Sequence, residues 1–193
     1  VENLKRYIQQ HIQIDDLQLQ TILNEFQLKK LSKGRHILKQ GQVAGEYIFL
    51  ESGCLRIYYF RNDKEVTGWV TTQHYFFTDL ASLTRQVPSL FNIQAFEESI
   101  VYGITKQNME ALYATIPAWQ EFGRKVWEAA FINTLDTLVS HQVESAEERY
   151  QRLLDEEPDL LQAIPLKHLA TYIGITPNSL SRIRKQNRDE GKR

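Results

Sequence analysis

The hydrophobic period of this chain changes twice, near Gln27 and again near Lys106, and that constrains the fold more than any single motif. Between those points, short runs rich in β-branched and aromatic residues alternate with turn signals. The runs are KKLSKGRHILKQGQ, EYIFLESGCLRIYYF, EVTGWVTTQHYFF, NIQAF and SIVYGIT. Lys33-Gly34, Gly41, Gly45, Ser52-Gly53 and Asn62-Asp63 punctuate them. Short strands at this spacing build an antiparallel sandwich or jelly roll. Asp79 to Arg85 reads as a short helix interrupting the strands. The flanks read at helical period. Leu4, Tyr7 and Ile8 form one stripe; Leu17, Leu19, Ile22, Leu23 and Phe26 form another, with Asp15 and Asp16 as caps. The class is therefore α+β.

After the strands, Lys106 to Tyr113 predicts one helix, and Pro117 opens a long one from Ala118 to about His141. Trp119, Phe122, Val126, Ala129 or Ala130, Leu135 and Leu138 recur at steps near three and four. A helix this long, apolar on more than one face, needs a partner besides its own sheet. We expect a homodimer seam at Trp119, Phe122, Val126 and Ala130, which a Val126→Glu change would weaken. Gln142 to Gln162 is acidic and helical, broken at Glu156-Glu157-Pro158.

The stretch LKHLATYIGITPNSLSRIRKQ, from Leu166 to Gln186, reads as two helices joined by a tight turn. Leu166, Leu169, Ala170 and Ile173 share one face. Gly174 then permits a positive φ, Thr176 offers an N-cap hydroxyl, and Pro177 suits the first helical position. Leu180 and Ile183 turn the second helix back onto the first. Asn178, Ser181, Arg182 and Lys185 fall on its other face. Arg bonds guanine edges bidentately, Asn does so to adenine, and Lys and Ser hold phosphates. Thr176, Asn178, Ser179, Ser181, Arg182, Arg184 and Lys185 are thus the expected contacts to double-stranded DNA. From Leu166 onward, seven cations stand against two anions, a net +5. The whole chain is −1, so residues 1–165 carry −6. A basic end on an acidic body is the electrostatic footprint of a nucleic-acid module.

Composition excludes several classes. Of the 193 residues, 42% are hydrophobic and 24% charged, which supports an ordinary core. No run is apolar enough to span a bilayer, so no membrane partner is expected. Cys54 is the single cysteine, which rules out an internal disulfide or a cysteine-ligated cluster and fits a cytoplasmic setting. His11, His36, His74, His141 and His168 show no metal-ligand spacing, so no metal is expected. No catalytic signature stands out, and no enzymatic activity is expected.

A jelly roll, a long helix and a helix-turn-helix, in that order, resemble the cyclic-AMP-receptor/fumarate-nitrate-regulator (Crp/Fnr) family of bacterial transcription regulators. The residues that carry the likeness are Gly34, Gly41, the Gly53 turn in ESGCLRIYY, Phe76-Phe77 before a short helix, Ala95 in NIQAF, and LSRIRK. The resemblance implies a jelly-roll sensor domain over residues 1–115, a dimerisation helix over 116–142 and a DNA-binding domain over 143–193. It implies a homodimer reading an inverted repeat, with RNA polymerase as a candidate partner. It also implies an effector pocket at Phe77, Thr78, Asp79, Ser82, Ser89 and Asn92.

The departures are as informative. Members that bind cyclic AMP carry a Gly-Glu pair before the short helix and an Arg before the next strand. Here Thr78-Asp79 stands at the first place, and Ser89 to Asn92 contains no Arg. Cyclic AMP in the usual mode is therefore not expected. Asp79 reads first as a helix cap and second as a hydroxyl partner. Only EEPDLLQAIP precedes the reading pair, too short for a hairpin, so the winged-helix-like domain is expected to have a reduced or absent wing. The competing reading is a small-molecule-binding jelly roll with no DNA-binding activity.

Overall fold

The computed structural model describes residues 1–72 and 74–190, with side chains through Asn187. Two helices lead in, α1 (Glu2–His11) and α2 (Asp16–Asn24). The Asp15 carboxylate caps α2 by accepting from the Gln18 amide at 2.8 Å. The strands follow: β1 (Gln27–Leu31), β2 (His36–Leu38), β3 (Glu46–Ser52), β4 (Leu55–Arg61), β5 (Lys64–Thr71) and β6 (Phe76–Phe77). Helix α3 (Leu80–Arg85) then separates β6 from β7 (Asn92–Ala95) and β8 (Ser99–Thr105).

The strands form two antiparallel sheets, ordered β1-β8-β3-β6 and β2-β7-β4-β5. Leu31, Ile48, Leu50, Leu55, Phe77, Ile93 and Val101 fill the space between them. Gly53 makes the β3–β4 turn, and only glycine serves there. Its φ is +104°, and a Cβ would meet the Ser99 Cα at 2.7 Å. The β4–β5 hairpin has two unlike faces, because side chains alternate along a strand. Ile57 and its partner Trp69 face one way; Arg56 and its partner Val70 face the other.

Five helices follow the strands before the last: α4 (Lys106–Thr115), α5 (Pro117–Val143), α6 (Ala146–Glu156), α7 (Pro158–Ala163) and α8 (Leu166–Tyr172), and then α9 (Pro177–Glu190). Among the described residues no strand follows β8. The first half of α5 lies in a core it shares with α1, α2, α4 and the outer side of β3 and β6. Trp119 stacks on Phe122 with ring centroids 4.3 Å apart, and its Nε1–H donates to the Met109 sulfur at 3.2 Å. The C-terminal helices form their own apolar cluster, in which Cys54 and Val70 of the strand region take part. No helix among the described residues is long and apolar enough to cross a membrane.

Candidate nucleic-acid interface and effector cavity

Helices α8 and α9 meet through Leu169, Ala170, Ile173 and Leu180, all almost fully buried. Gly174 takes φ +81° in the turn, and the Thr176 hydroxyl caps α9 by accepting from the Ser179 amide at 3.2 Å. This arrangement is compatible with a helix-turn-helix. Because Leu180 is pinned inward, Asn178, Ser181, Arg182 and Lys185 are left exposed on one face of α9, with Thr176 exposed at its start. Ser179 and Arg184 are half-buried at its flanks. Ser181 spends its hydroxyl hydrogen on the Pro177 carbonyl at 2.9 Å, leaving its lone pairs to accept. Of the expected basic end, Arg188, Lys192 and Arg193 lie outside the described side chains.

The expected dimer seam is corrected by burial. Trp119, Phe122 and Val126 are 0, 2 and 4% exposed inside the chain's own core, out of reach of any partner. A charge at Val126 would enter that core and strike the fold before any dimer. Ala130 is half-buried beside a cavity. The apolar face left open lies about one to five turns beyond Val126. Phe131, Ile132, Leu135, Leu138, Val139 and Val143 are 43 to 74% exposed, and 131, 135 and 138 follow the four-then-three step of a coiled-coil seam.

The expected effector pocket is also corrected. Asp79, Ser82, Ser89 and Asn92 are buried, and they bond to one another and to nearby backbone. One Asp79 oxygen accepts from the Ser82 amide at 3.1 Å, which is the capping role. The other accepts from the Ser89 hydroxyl at 2.6 Å. Ser82 Oγ accepts from the Ala44 amide, and Asn92 Oδ1 from the Gln40 amide. The start of α3, where the resemblance would place an anionic phosphate, is thus taken by the chain's own carboxylate.

The open space lies beside this knot. A cavity of about 510 Å³ is lined by Ile57 and Trp69 of the hairpin, by Tyr75 to Thr78 and Leu80, and by Trp127, Ala130, Phe131 and Thr134 of α5. Phe77 and Thr78 are the two expected pocket residues that it includes. Among the described residues its lining carries no ionisable side chain except the Tyr75 phenol, whose pKa burial raises. Trp127, Phe131 and Thr134 were readable as a second helical stripe. That they line one cavity with Trp69, about 60 positions earlier, was not.

A polar junction that sequence reasoning missed joins the strands to α8. Arg56, 3% exposed, donates to Gln94, Glu65 and His168, and the Thr67 amide donates to the Thr171 hydroxyl at 3.1 Å. Cys54 is fully buried, and burial with Glu97 nearby pushes its thiol up to about 12, so it is an inert core group. Among the described residues, no group of three or more His, Cys, Asp or Glu side chains is placed to hold a metal.

Residues 28–115 match the cyclic nucleotide-binding domain family. Solved structures that resemble the chain include Crp/Fnr-type transcription regulators. A CooA variant from Carboxydothermus hydrogenoformans is 19% identical, with a TM-score of 0.68 over 89% of this chain and 80% of that one. The c-di-GMP-responsive global regulator CLP of Xanthomonas campestris is 14% identical, with a TM-score of 0.70 over 92% and 93%. A protein from Eubacterium rectale assigned to the Crp/Fnr regulators is 15% identical, with a TM-score of 0.71 over 92% and 85%. At these identities the likeness is one of fold. No curated protein matches the chain by sequence.

Proposed function

We propose that this chain is a DNA-binding transcription regulator of the Crp/Fnr type, working as a homodimer on an inverted-repeat operator, with an effector cavity that is not built for a cyclic nucleotide. The observation that carries the reading is the exposed face of α9, Asn178, Ser181, Arg182 and Lys185, presented by a capped helix packed on α8, in a chain whose long α5 carries an open apolar stripe. Two copies joined along that stripe would place their α9 helices for successive major grooves, with half-site centres roughly 34 Å apart.

The test is a set of salt titrations on a selected duplex and a scrambled one. Arg182→Ala is expected to cost ~1–3 kcal/mol on the selected site and to relax preference at one base pair per half-site. Lys185→Ala is expected to weaken both duplexes alike and to flatten the salt dependence by about one counterion per subunit. Equal losses on both duplexes for Arg182→Ala would reduce that residue to a phosphate contact. Absence of binding to any duplex at low salt would leave the small-molecule-binding reading in its place.

The reading excludes tight cyclic AMP or cyclic GMP binding in the usual mode. A cyclic phosphate would have to displace the Ser82–Asp79–Ser89 bonds and then meet the Asp79 charge without a cationic partner. Loss of such a charge-assisted contact costs ~2–5 kcal/mol, about thirty-fold to several thousand-fold in affinity. Calorimetry is expected to detect no submicromolar binding of either nucleotide. The aromatic cavity beside Phe77 instead favours an uncharged, largely apolar effector.

A further inference from the structure

Arg56 is a buried cation on the face of the hairpin turned away from the cavity. A guanidinium stays charged, so its burial demands partners. Nε and Nη2 donate to Gln94 Oε1 at 3.0 and 2.8 Å, and Nη2 also donates to Glu65 Oε2 at 2.7 Å. Its Cζ lies 3.8 Å from the Tyr58 ring centre and 5.1 Å from that of Phe96. All these holders belong to the strand region. Nη1 alone crosses to the C-terminal helices, meeting His168 Nδ1 of α8 at 2.8 Å.

A guanidinium has no acceptor, so Arg56 must donate and Nδ1 of His168 must be bare. The contact therefore requires the neutral ring, with its proton on Nε2. A second proton on Nδ1 would set two donors against each other. The charged groups facing the ring are Arg56 from β4, Glu65 from β5 and Lys167 on α8 itself. Glu65 Oε2 is 3.8 Å from Nδ1 and would attract an imidazolium. That same oxygen already accepts from Arg56, so the attraction draws Glu65 away from its present place.

We propose that Arg56 and His168 form a proton-sensitive latch, which holds α8 on the β4–β5 hairpin while His168 is neutral and loosens it when the imidazole is protonated. The Thr67–Thr171 hydrogen bond and the Val70 packing also hold the junction, so the latch biases the position of α8 without carrying it alone. Burial first, then the Arg56 charge, with Lys167 adding and Glu65 opposing, keeps His168 below its ordinary value. A docked state that prefers the neutral ring is at full strength above the free imidazole pKa of about 6.5 and weakens as pH falls below it. Since α8 packs on α9, loosening α8 frees the pair to reorient. The consequence for DNA rests on the proposed function; the docking equilibrium does not.

The test is amide hydrogen exchange on the intact chain without DNA, at about pH 7.5 and about pH 5.5, corrected for intrinsic rates. Protection of α8 is expected to fall about five- to tenfold on acidification, while amides of the first half of α5 hold theirs. His168→Gln keeps an acceptor that does not titrate and is expected to abolish the step. Arg56→Gln is expected to leave α8 weakly protected at both pH values. If that variant does not fold, the His168→Gln comparison still decides. Equal α8 protection in the wild type at both pH values, or a step that persists in His168→Gln, would overturn the latch.

Discussion

Leu135→Glu is expected to turn the proposed dimer into a folded monomer. Leu135 is 43% exposed in the middle of the open stripe on α5, with Phe131 and Leu138 one turn away on either side. In a paired helix it would be covered by its counterpart, and two glutamates would be forced together without cations. Burying unpaired charge costs about 3–5 kcal/mol, a shift of more than a hundredfold in the dimer dissociation constant. Within the single chain the same side chain meets solvent, so helicity and thermal unfolding of the monomer should hardly change. Sedimentation velocity at micromolar concentration reads the first outcome and circular dichroism the second. A dimer that survives the substitution would move the seam off this stripe.

Trp119→Ala, four turns earlier on the same helix, is expected to do the opposite. Trp119 is fully buried, stacked on Phe122, edge-on to Phe26 and bonded to Met109. Truncating such a residue costs about 3–5 kcal/mol, a large share of the 5–15 kcal/mol typical of a domain. Its effect should appear as a lowered denaturant midpoint at fixed protein concentration, with no loss of self-association in the protein that remains folded. A dimer lost with the midpoint unchanged would restore Trp119 to the seam. Together the two variants separate the half of α5 that completes its own chain from the half left open to another.

Much of this molecule was legible before any coordinates. The change of period at Gln27 and Lys106 marks where helices give way to strands and return, within a residue or two of β1 and α4. The caps at Asp15, Asp79 and Thr176, and the glycine turn at Gly174, are local chemistry read from adjacent residues. So is the missing cation between Ser89 and Asn92. Each depends on interactions within a few positions of the chain, and a sequence records those directly.

Tertiary structure alone decided what covers each face. A helical stripe states which residues share a side, not whether that side meets the chain's own sheet or open solvent. Trp119 and Leu135 carry the same periodic signal and end in opposite environments, because α1, α2 and α4 close over the first half of α5 and stop there. The cavity depends likewise on bringing Trp69 and Trp127 to one opening, and the polar residues beside it were spent on one another instead of facing inward. The contact between Arg56 and His168 spans 112 positions. No local pattern announces a pair so distant, because its energy exists only once the strands and the last helices have packed and water has been driven from between them.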